Sequence, residues 1–258
     1  MKVQVLPSTI DEDGRASARQ HLLTMIVDNQ VAIDAGCLAF SCSDRQREQV
    51  RDILLTHAHL DHVAGLPLFI DDLFATATEP IRVHCTRDMI DTLERDIFNW
   101  SIYPRFCELK NVHGPVMEYR EFAAGSSFDL QHLGIRAIAV NHKVPANGYI
   151  VSNSTKAFAT TGDTAETDDF WRACNEAPRL DAAFVECALP DELSELAAAS
   201  YHLTPSKLRS ELAKLTNRRY PVYIINIKPM YREQVVEQVE RLGLDDVHIL
   251  EIGKVYEI

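Results

Sequence analysis

The chain has 258 residues, of which 46% are hydrophobic and 25% charged, and its formal net charge is −12 at pH 7. This length and composition predict one domain over residues 1–258 with a well-buried core, and they exclude a disordered or short-period repetitive chain. The acidic balance disfavours nucleic acid as a partner, because such binding draws most of its affinity from Lys and Arg.

The amino-terminal residues alternate like a strand and contain no continuous apolar signal region, and the apolar runs of the sequence are too short to span a bilayer. The six cysteines are scattered and read as reduced thiols rather than as a disulfide framework. We therefore expect a cytoplasmic protein with no membrane partner.

Short β-rich runs alternate with helical stretches along the whole chain. Strands are predicted at residues 2–6, 21–27, 30–34, 53–56, 81–85, 134–140, 148–151, 156–160, 182–185, 222–227, 247–250 and 254–258. Helices are predicted at residues 43–51, 62–72, 87–99, 167–177, 191–199, 205–215 and 232–242, with Thr204 as an N-cap and Gly243 at a C-terminal cap. The order predicts an α/β fold with two mixed β-sheets face to face and helices outside, and with the site on loops at the strand ends.

A cluster of metal-ligand residue types follows the predicted strand 53–56. His57 and His59 can face one cation while Asp61 and His62 turn toward a second. Imidazole and carboxylate are ligands that zinc, iron or manganese accept, and the lack of a nearby CxxC pair argues against a closed structural zinc site. The alternative is a surface loop that happens to be rich in histidine.

Further candidate ligands follow other predicted strands. His142 can supply a third imidazole, and Asp163, after Gly162, can bridge two cations. Taken singly, each could be a cap or turn residue. Asn226 ends another strand, and its amide oxygen is a weaker candidate ligand.

Two more residues have open roles. His202 precedes the predicted helix 205–215 and is either a general acid, a more distant hydrogen-bonding group or a neighbour of the helix start. Asp34 is either an acceptor that orients a ligand histidine or an ordinary strand-end turn residue.

These residues together resemble the metallo-β-lactamase superfamily. Within it, the HxHLDHxxG pattern of residues 57–65, the segment 201–205 and the Lys-Pro pair at 228–229 are similar to the class II cyclic-nucleotide phosphodiesterases. The resemblance implies a four-layer αββα sandwich. It also implies two divalent metal ions, with zinc preferred and iron or manganese as alternatives. The implied ligands are, for the first metal, His57, His59 and His142; for the second, Asp61 and His62; and, as the bridge, Asp163.

One position departs from the phosphodiesterase pattern. Where that pattern has a histidine two residues before Lys-Pro, this chain has Asn226. An amide oxygen is a poorer donor to zinc than a ring nitrogen. The second metal position is therefore expected to be weakened, with a half-filled or differently metallated site, an altered substrate or reduced activity as consequences.

The function implied by the resemblance is metal-dependent hydrolysis of a small anionic phosphodiester, namely a 3′,5′-cyclic nucleotide (cAMP or cGMP) opened to its 5′-monophosphate by metal-activated hydroxide. Asp61 and His202 are the predicted catalytic residues, the latter assisting the leaving group. One alternative is a tRNase Z-like endoribonuclease or another hydrolase of the same fold. A different class is a non-catalytic regulatory protein that binds a metal or nucleotide, which Asn226 permits. A homodimer is left open.

Overall fold

The computed structural model describes residues 1–216 and 218–258. The strands of these residues are β1 Lys2–Val5, β2 Met25–Val27, β3 Val31–Ile33, β4 Asp52–Leu54, β5 Ile81–Cys85, β6 Lys110–Asn111, β7 Gly114–Pro115, β8 Met117–Glu121, β9 Ser127–Leu130, β10 Leu133–Ala139, β11 Asn147–Ser152, β12 Ala157–Thr160, β13 Ala182–Glu186, β14 Val222–Ile225, β15 Val247–Ile249 and β16 Val255–Glu257. The α-helices are α1 Leu38–Ser41, α2 Asp44–Gln49, α3 Leu60–Val63, α4 Leu66–Leu73, α5 Arg87–Asp96, α6 Asp168–Glu176, α7 Ser194–Ser200, α8 Pro205–Leu212 and α9 Arg232–Arg241.

Two seven-stranded sheets carry the fold, with strand orders β16-β1-β2-β3-β4-β5-β8 and β15-β14-β13-β12-β11-β10-β9. In the first sheet, β16 to β3 pair antiparallel and β3 to β8 pair parallel. In the second sheet, β9 to β12 pair antiparallel and β12 to β15 pair parallel. Both sheets are therefore mixed, as the sequence predicted.

The side chains of each sheet divide between an inner and an outer core. On β2, Met25 and Val27 belong to a buried cluster that also contains Phe158 and Phe184 of the second sheet, whereas Ile26 belongs to a cluster with the helices outside the first sheet. This alternation follows from the two-residue period of a strand. A third cluster joins the outer face of the second sheet to α6, α8 and α9. The layers are thus helix, sheet, sheet and helix, and the predicted αββα sandwich is confirmed.

The predicted helix 62–72 is wrong as one element, because the chain forms α3 and α4 with a break at Gly65. The Gly65 N–H donates to Ala35 O at 2.9 Å, and the Asp61 carbonyl accepts from Leu23 N at 2.8 Å, so the helical bond between these two groups is replaced by contacts to other segments. A Cβ at Gly65 would lie 2.6 Å from Ala35 O. The glycine permits this close approach of the two backbones.

Other predicted boundaries differ for similar reasons. The strand predicted at 21–27 begins only at Met25, because the backbone of Leu23 pairs with Asp61 of α3 and with the loop residue Gly36 instead of with a strand. Strands β8 and β9 were not predicted, since these edge strands carry exposed polar residues and lack an apolar run.

The two predicted helix caps have different outcomes. Thr204 precedes α8, but its side chain makes no capping hydrogen bond. Gly243 follows the end of α9 with φ +62°, the left-handed conformation that a C-terminal glycine cap requires. Among the residues that the structure describes, no helix has both the length and the apolar character needed to cross a membrane.

Candidate metal centre

The predicted site residues meet at one end of the two sheets. Asp34 directly follows β3, Asn226 directly follows β14, and His57 and Asp163 lie three residues beyond β4 and β12. Within each sheet these strands run parallel, and His142 follows β10, which runs in the same direction as β12 because each pairs antiparallel with β11. The carboxyl ends of such strands share an edge, where loops can converge.

Three imidazoles form the first donor set. The ligand atoms of His57, His59 and His142 all lie within 4.8 Å of one another. His142 Nε2 is 3.2 Å from His59 Nδ1, and the other His142 nitrogen, Nδ1, donates to the carbonyl of Tyr201 at 3.0 Å. That hydrogen bond leaves the Nε2 lone pair directed to the cluster, as a metal-binding imidazole requires.

A second donor set shares His57 and adds His62 and Asp163. His62 Nε2 lies 3.4 Å from Asp163 Oδ2 without hydrogen-bonding geometry. Behind it, His62 Nδ1 donates to Asp34 Oδ2 at 2.7 Å. Asp34 is fully buried and also accepts from the backbone N–H and the hydroxyl of Thr56, both at 2.8 Å. The geometry supports the orienting role predicted for Asp34.

The buried nitrogens of this cluster test whether a cation fits. His57 Nε2 and His62 Nε2 are buried and have no hydrogen-bond partner. A buried polar atom without a partner is unfavourable. A cation at the first donor set would give His57 Nε2 a partner, whereas His62 Nε2 would take either a proton or a second cation beside Asp163. The donor set of imidazole and carboxylate is chemically suited to zinc, iron or manganese. The residues present therefore fit a metal ion.

The protonation states follow from burial and from neighbouring charges. Burial, together with the charge of His62, holds the pKa of His57 well below its ordinary value, and burial also lowers the pKa of His59 and His142. Burial acts in the same direction on His62, but the carboxylates of Asp163 and Asp34 outweigh it and raise that pKa. Neutral imidazoles bind cations, so the first set is ready at neutral pH, whereas a cation at His62 competes with a proton.

Glu186 is a site residue that the sequence reasoning missed. It is the last residue of β13 and is fully buried. Its Oε1 accepts from His202 Nδ1 at 2.8 Å and from Thr164 N at 3.1 Å, and its Oε2 accepts from Leu203 N at 3.3 Å. The signal was a lone carboxylate at the end of an apolar run, as with Asp34, but the predicted strand stopped at residue 185.

His202 lies beside the cluster, with its ring centroid 5.3 Å from that of His142. Burial lowers the pKa of His202, but Glu186 outweighs it and the net pKa is raised. The ring therefore holds a proton at Nδ1 against the carboxylate, and its Nε2 is available for a second proton.

Asn226 and Lys228 face the two carboxylates of the predicted second position. Asn226 Nδ2 donates to Asp163 Oδ1 at 2.6 Å, so the amide presents its nitrogen rather than the predicted oxygen. Lys228 Nζ donates to Asp61 Oδ2 at 3.1 Å, while Asp61 Oδ2 stands 3.9 Å from His62 Nε2. Lys228 was part of the Lys-Pro pattern but had no predicted role.

Two cavities open beside the imidazoles. One, of about 130 Å³, contacts His59 and is lined by Met89 and Asp88 of α5 together with Val144 and Pro145. The other, of about 500 Å³, contacts His142 and is also lined by Asp88, Val144 and Pro145. Together they provide an apolar wall next to the metal centre, and the larger cavity is also lined by the charged residues Arg87, Asp88, Glu121 and Lys143.

Residues 31–223 match the family model described as the β-lactamase superfamily domain. The chain belongs to this superfamily. Over 224 residues, the chain is 26% identical to a protein of Yersinia pestis named "probable 3′,5′-cyclic-nucleotide phosphodiesterase". The match covers 78% of this chain and 63% of that relative. The chain is 25% identical over 119 residues to the chloroplastic tRNase Z TRZ2 of Arabidopsis thaliana, covering 45% of this chain and 30% of that relative. The chain thus spans less than two thirds of the length of either relative.

A solved structure of the superfamily supports the fold. The unliganded crystal structure of yeast PDE1 superposes with a TM-score of 0.77 at 15% sequence identity and covers 98% of each chain. The metallo-β-lactamase fold is therefore confirmed, and the clustered histidines and aspartate are residue types that can hold a divalent metal ion.

Proposed function

We propose that this chain is a metal-dependent phosphodiesterase that hydrolyses a small anionic phosphodiester, a 3′,5′-cyclic nucleotide, to the 5′-monophosphate. The observation that carries the proposal is the convergence of His57, His59, His142 and Asp163, from distant parts of the chain, around unpartnered imidazole nitrogens. Similarity to the Yersinia pestis phosphodiesterase supports this substrate class.

The cation would be held by His57, His59 and His142, with Asp163 as the carboxylate ligand. When bound, a divalent cation lowers the pKa of a coordinated water and polarises the phosphate, which is the chemistry that hydrolysis of a phosphodiester needs. The number of cations is a separate question, because the second predicted position has an altered donor set. Zinc is the preferred ion, with iron or manganese as alternatives.

The leaving group needs a proton, and His202 is the residue proposed to supply it. A water that has released one proton to solvent attacks as hydroxide: its oxygen forms a bond to phosphorus, the bond from phosphorus to the 3′ oxygen breaks, and the proton held at His202 Nε2 passes to that oxygen. Glu186 keeps Nδ1 protonated and stabilises the positive ring. The apolar wall of Met89, Val144 and Pro145 would contact the nucleoside.

The test uses the protein stripped with a chelator and reloaded in turn with zinc, manganese or iron. We expect cyclic AMP or cyclic GMP to be opened to the 5′-monophosphate, and we expect His57→Ala to lose both metal and turnover. His113→Ala, at an exposed position, is the matched control and should retain both. Absence of product with every metal, or full turnover in His57→Ala, would contradict the proposal.

A tRNase Z-like endoribonuclease is the second candidate, and the similarity to the Arabidopsis tRNase Z favours it. The net charge of −12 opposes it, because RNA binding depends on Lys and Arg. A gel-shift and cleavage assay with precursor tRNA at low salt separates the two functions. Stabilisation by a cyclic nucleotide in a melting assay without product would instead indicate a regulatory binding protein.

The single domain over residues 1–258, the cytoplasmic location, the absence of a membrane partner and the open question of a homodimer stay predictions. Gel filtration with light scattering tests the assembly, and limited proteolysis tests the domain.

A further inference from the structure

The second predicted metal position has its carboxylates engaged by nitrogen donors of the chain. Asp163 Oδ1 accepts from the Asn226 amide at 2.6 Å, and Asp61 Oδ2 accepts from the Lys228 ammonium at 3.1 Å. A cation bound through these two oxygens would have to displace both contacts, which leaves Asp163 Oδ2, 3.4 Å from His62 Nε2, as the carboxylate oxygen that faces an imidazole without such a contact. Among the described residues, the second donor set has two imidazoles. His57 is shared with the first donor set, so His62 is the one imidazole that belongs to the second position alone.

The orientation of Asn226 is determined by electrostatics. Asn226 is buried, and the reverse orientation would place its amide oxygen 2.6 Å from a carboxylate oxygen, where two acceptors repel each other. The NH2 group that faces Asp163 has no lone pair for a metal. Asn226 therefore does not replace the histidine of the phosphodiesterase pattern as a ligand.

Lys228 is held in place by its backbone as well as by its ammonium. Its N–H donates to Ala188 O at 3.0 Å, and Pro229 follows it directly. The side chain is one-third exposed, so the ammonium contacts Asp61 while remaining open to the site. A lysine ammonium is a compact point charge that binds phosphate oxygens.

We propose that the chain holds one firmly bound divalent cation, at His57, His59 and His142, and that the Lys228 ammonium, paired with Asp61, provides the second positive charge in place of a second cation. This charge would bind a non-bridging oxygen of the substrate phosphate. The role toward the phosphate rests on the proposed phosphodiesterase function, whereas the metal count does not depend on it.

Metal content tests the first half of this inference. After loading with excess zinc and extensive dialysis, elemental analysis of the wild-type protein should give one equivalent. The double variant N226H/K228M should retain two, because it restores the imidazole and removes the competing ammonium. Histidine is tolerated at the φ of +53° found at Asn226, since it is among the side chains enriched in the left-handed region.

The matched control is N29H/K254M. Asn29 has φ +60° and lies beyond the opposite end of β3 from Asp34, and Lys254 is exposed, so this variant should stay at one equivalent. Two equivalents retained by the wild type with equal resistance to a chelator would overturn the inference. So would a single equivalent in a folded N226H/K228M protein.

Binding of inorganic phosphate tests the second half. In calorimetry with the zinc-loaded protein, K228Q should bind phosphate at least tenfold more weakly with its metal content unchanged. K228R should recover part of the affinity, and the exposed control K254Q should match the wild type. Unchanged phosphate affinity in K228Q would overturn the role of Lys228.

Neither the metal count nor phosphate affinity requires turnover. A protein with one cation and Lys228-dependent phosphate binding but no hydrolysis of cyclic nucleotides would contradict the proposed function alone. Active protein with two firmly bound cations would contradict this inference alone.

Discussion

His62 Nδ1 donates a hydrogen bond to Asp34 Oδ2 at 2.7 Å, so the residue directly after β3 sets the direction of the imidazole of a residue 28 positions later in the chain. Asp34 itself has φ +59°, an uncommon conformation that turns its carboxylate back into the buried space behind the cluster. Because the Nδ1–H of His62 donates to Asp34, Nε2 is the nitrogen that faces Asp163, where a metal ion would replace its second proton.

We expect Asp34→Asn to weaken metal binding by about 10- to 100-fold, the range found when a hydrogen-bond partner of a metal ligand is changed. An amide nitrogen at the Oδ2 position would donate to His62 Nδ1 and move the imidazole proton to Nε2. Competition with a chelator measures the effect.

The control for this change is Asp28→Asn. Asp28 also has a positive φ and accepts from a histidine, His132 Nε2, at 2.9 Å, but on the exposed side of the molecule. The variant Asp28→Asn should leave the metal affinity unchanged. Wild-type affinity in Asp34→Asn would show that Asp34 does not orient His62.

Glu186→Gln should lower kcat by roughly 100-fold, a typical contribution of a general acid, with metal content unchanged. The amide cannot stabilise a positive His202 ring as the carboxylate does. If Glu186 acts through His202, the double variant with His202→Ala should be no slower than His202→Ala alone, because residues that act as a unit are not additive. Steady-state kinetics at saturating substrate provides the measurement.

Glu211→Gln is the matched buried control for Glu186. Glu211 lies in α8 and accepts from Trp171 Nε1 of α6 at 2.6 Å and from Thr167 N at 2.9 Å. These contacts join two helices and are not part of the metal centre. The variant should reduce stability without reducing kcat of the folded fraction. Equal losses of kcat in both Gln variants would argue against a specific role for Glu186.

Asp52 should give the protein a stability that depends on pH. Burial raises its pKa, but hydrogen bonds from Arg82, His84 and Gln131 at 2.6–2.8 Å outweigh burial and hold the pKa well below its ordinary value. A depressed pKa means that the stabilisation is present above about pH 4 and is lost as the pH falls through the folded-state value.

Asp52→Asn should therefore cost roughly 3 kcal/mol of unfolding free energy at pH 7, in the range for breaking a buried ion pair, and the difference from wild type should shrink below about pH 4. Urea unfolding at pH 7 and below about pH 4 measures the difference in unfolding free energy between the two proteins. The exposed Asp169→Asn should change stability by less than about 0.5 kcal/mol. A loss of unfolding free energy in Asp52→Asn that does not change with pH would contradict the lowered pKa of Asp52 in the folded protein.

Gly36→Ala should be strongly destabilising, by roughly 3 kcal/mol, because overpacking here meets backbone. A Cβ at Gly36 would lie 2.0 Å from Asp61 O and 2.7 Å from Leu23 N. Gly134→Ala is the control, since its nearest contact is the Ser152 hydroxyl at 3.1 Å, which can rotate. Thermal unfolding, together with the soluble yield, compares the two. Equal melting temperatures would contradict this packing.

The metal motif was predictable because its ligands are close in sequence. His57, His59 and His62 lie within six residues, and the strand before them is marked by an apolar run. The order of strands and helices was also recognisable from local periodicity. The break at Gly65 was not, because it depends on a backbone hydrogen bond to Ala35, a segment that the local pattern does not contain.

By itself, the sequence determined the resemblance to the superfamily, the layered α/β architecture and the main candidate ligands, since these depend on short motifs and on the period of apolar residues. Only the tertiary structure decided that Glu186 pairs with His202. It also decided that Asn226 donates a hydrogen bond to Asp163 and that Lys228 donates one to Asp61. The physical reason is that such pairs form between ends of different strands or the loops after them. Their distances depend on strand order and sheet packing, which no local stretch of residues specifies.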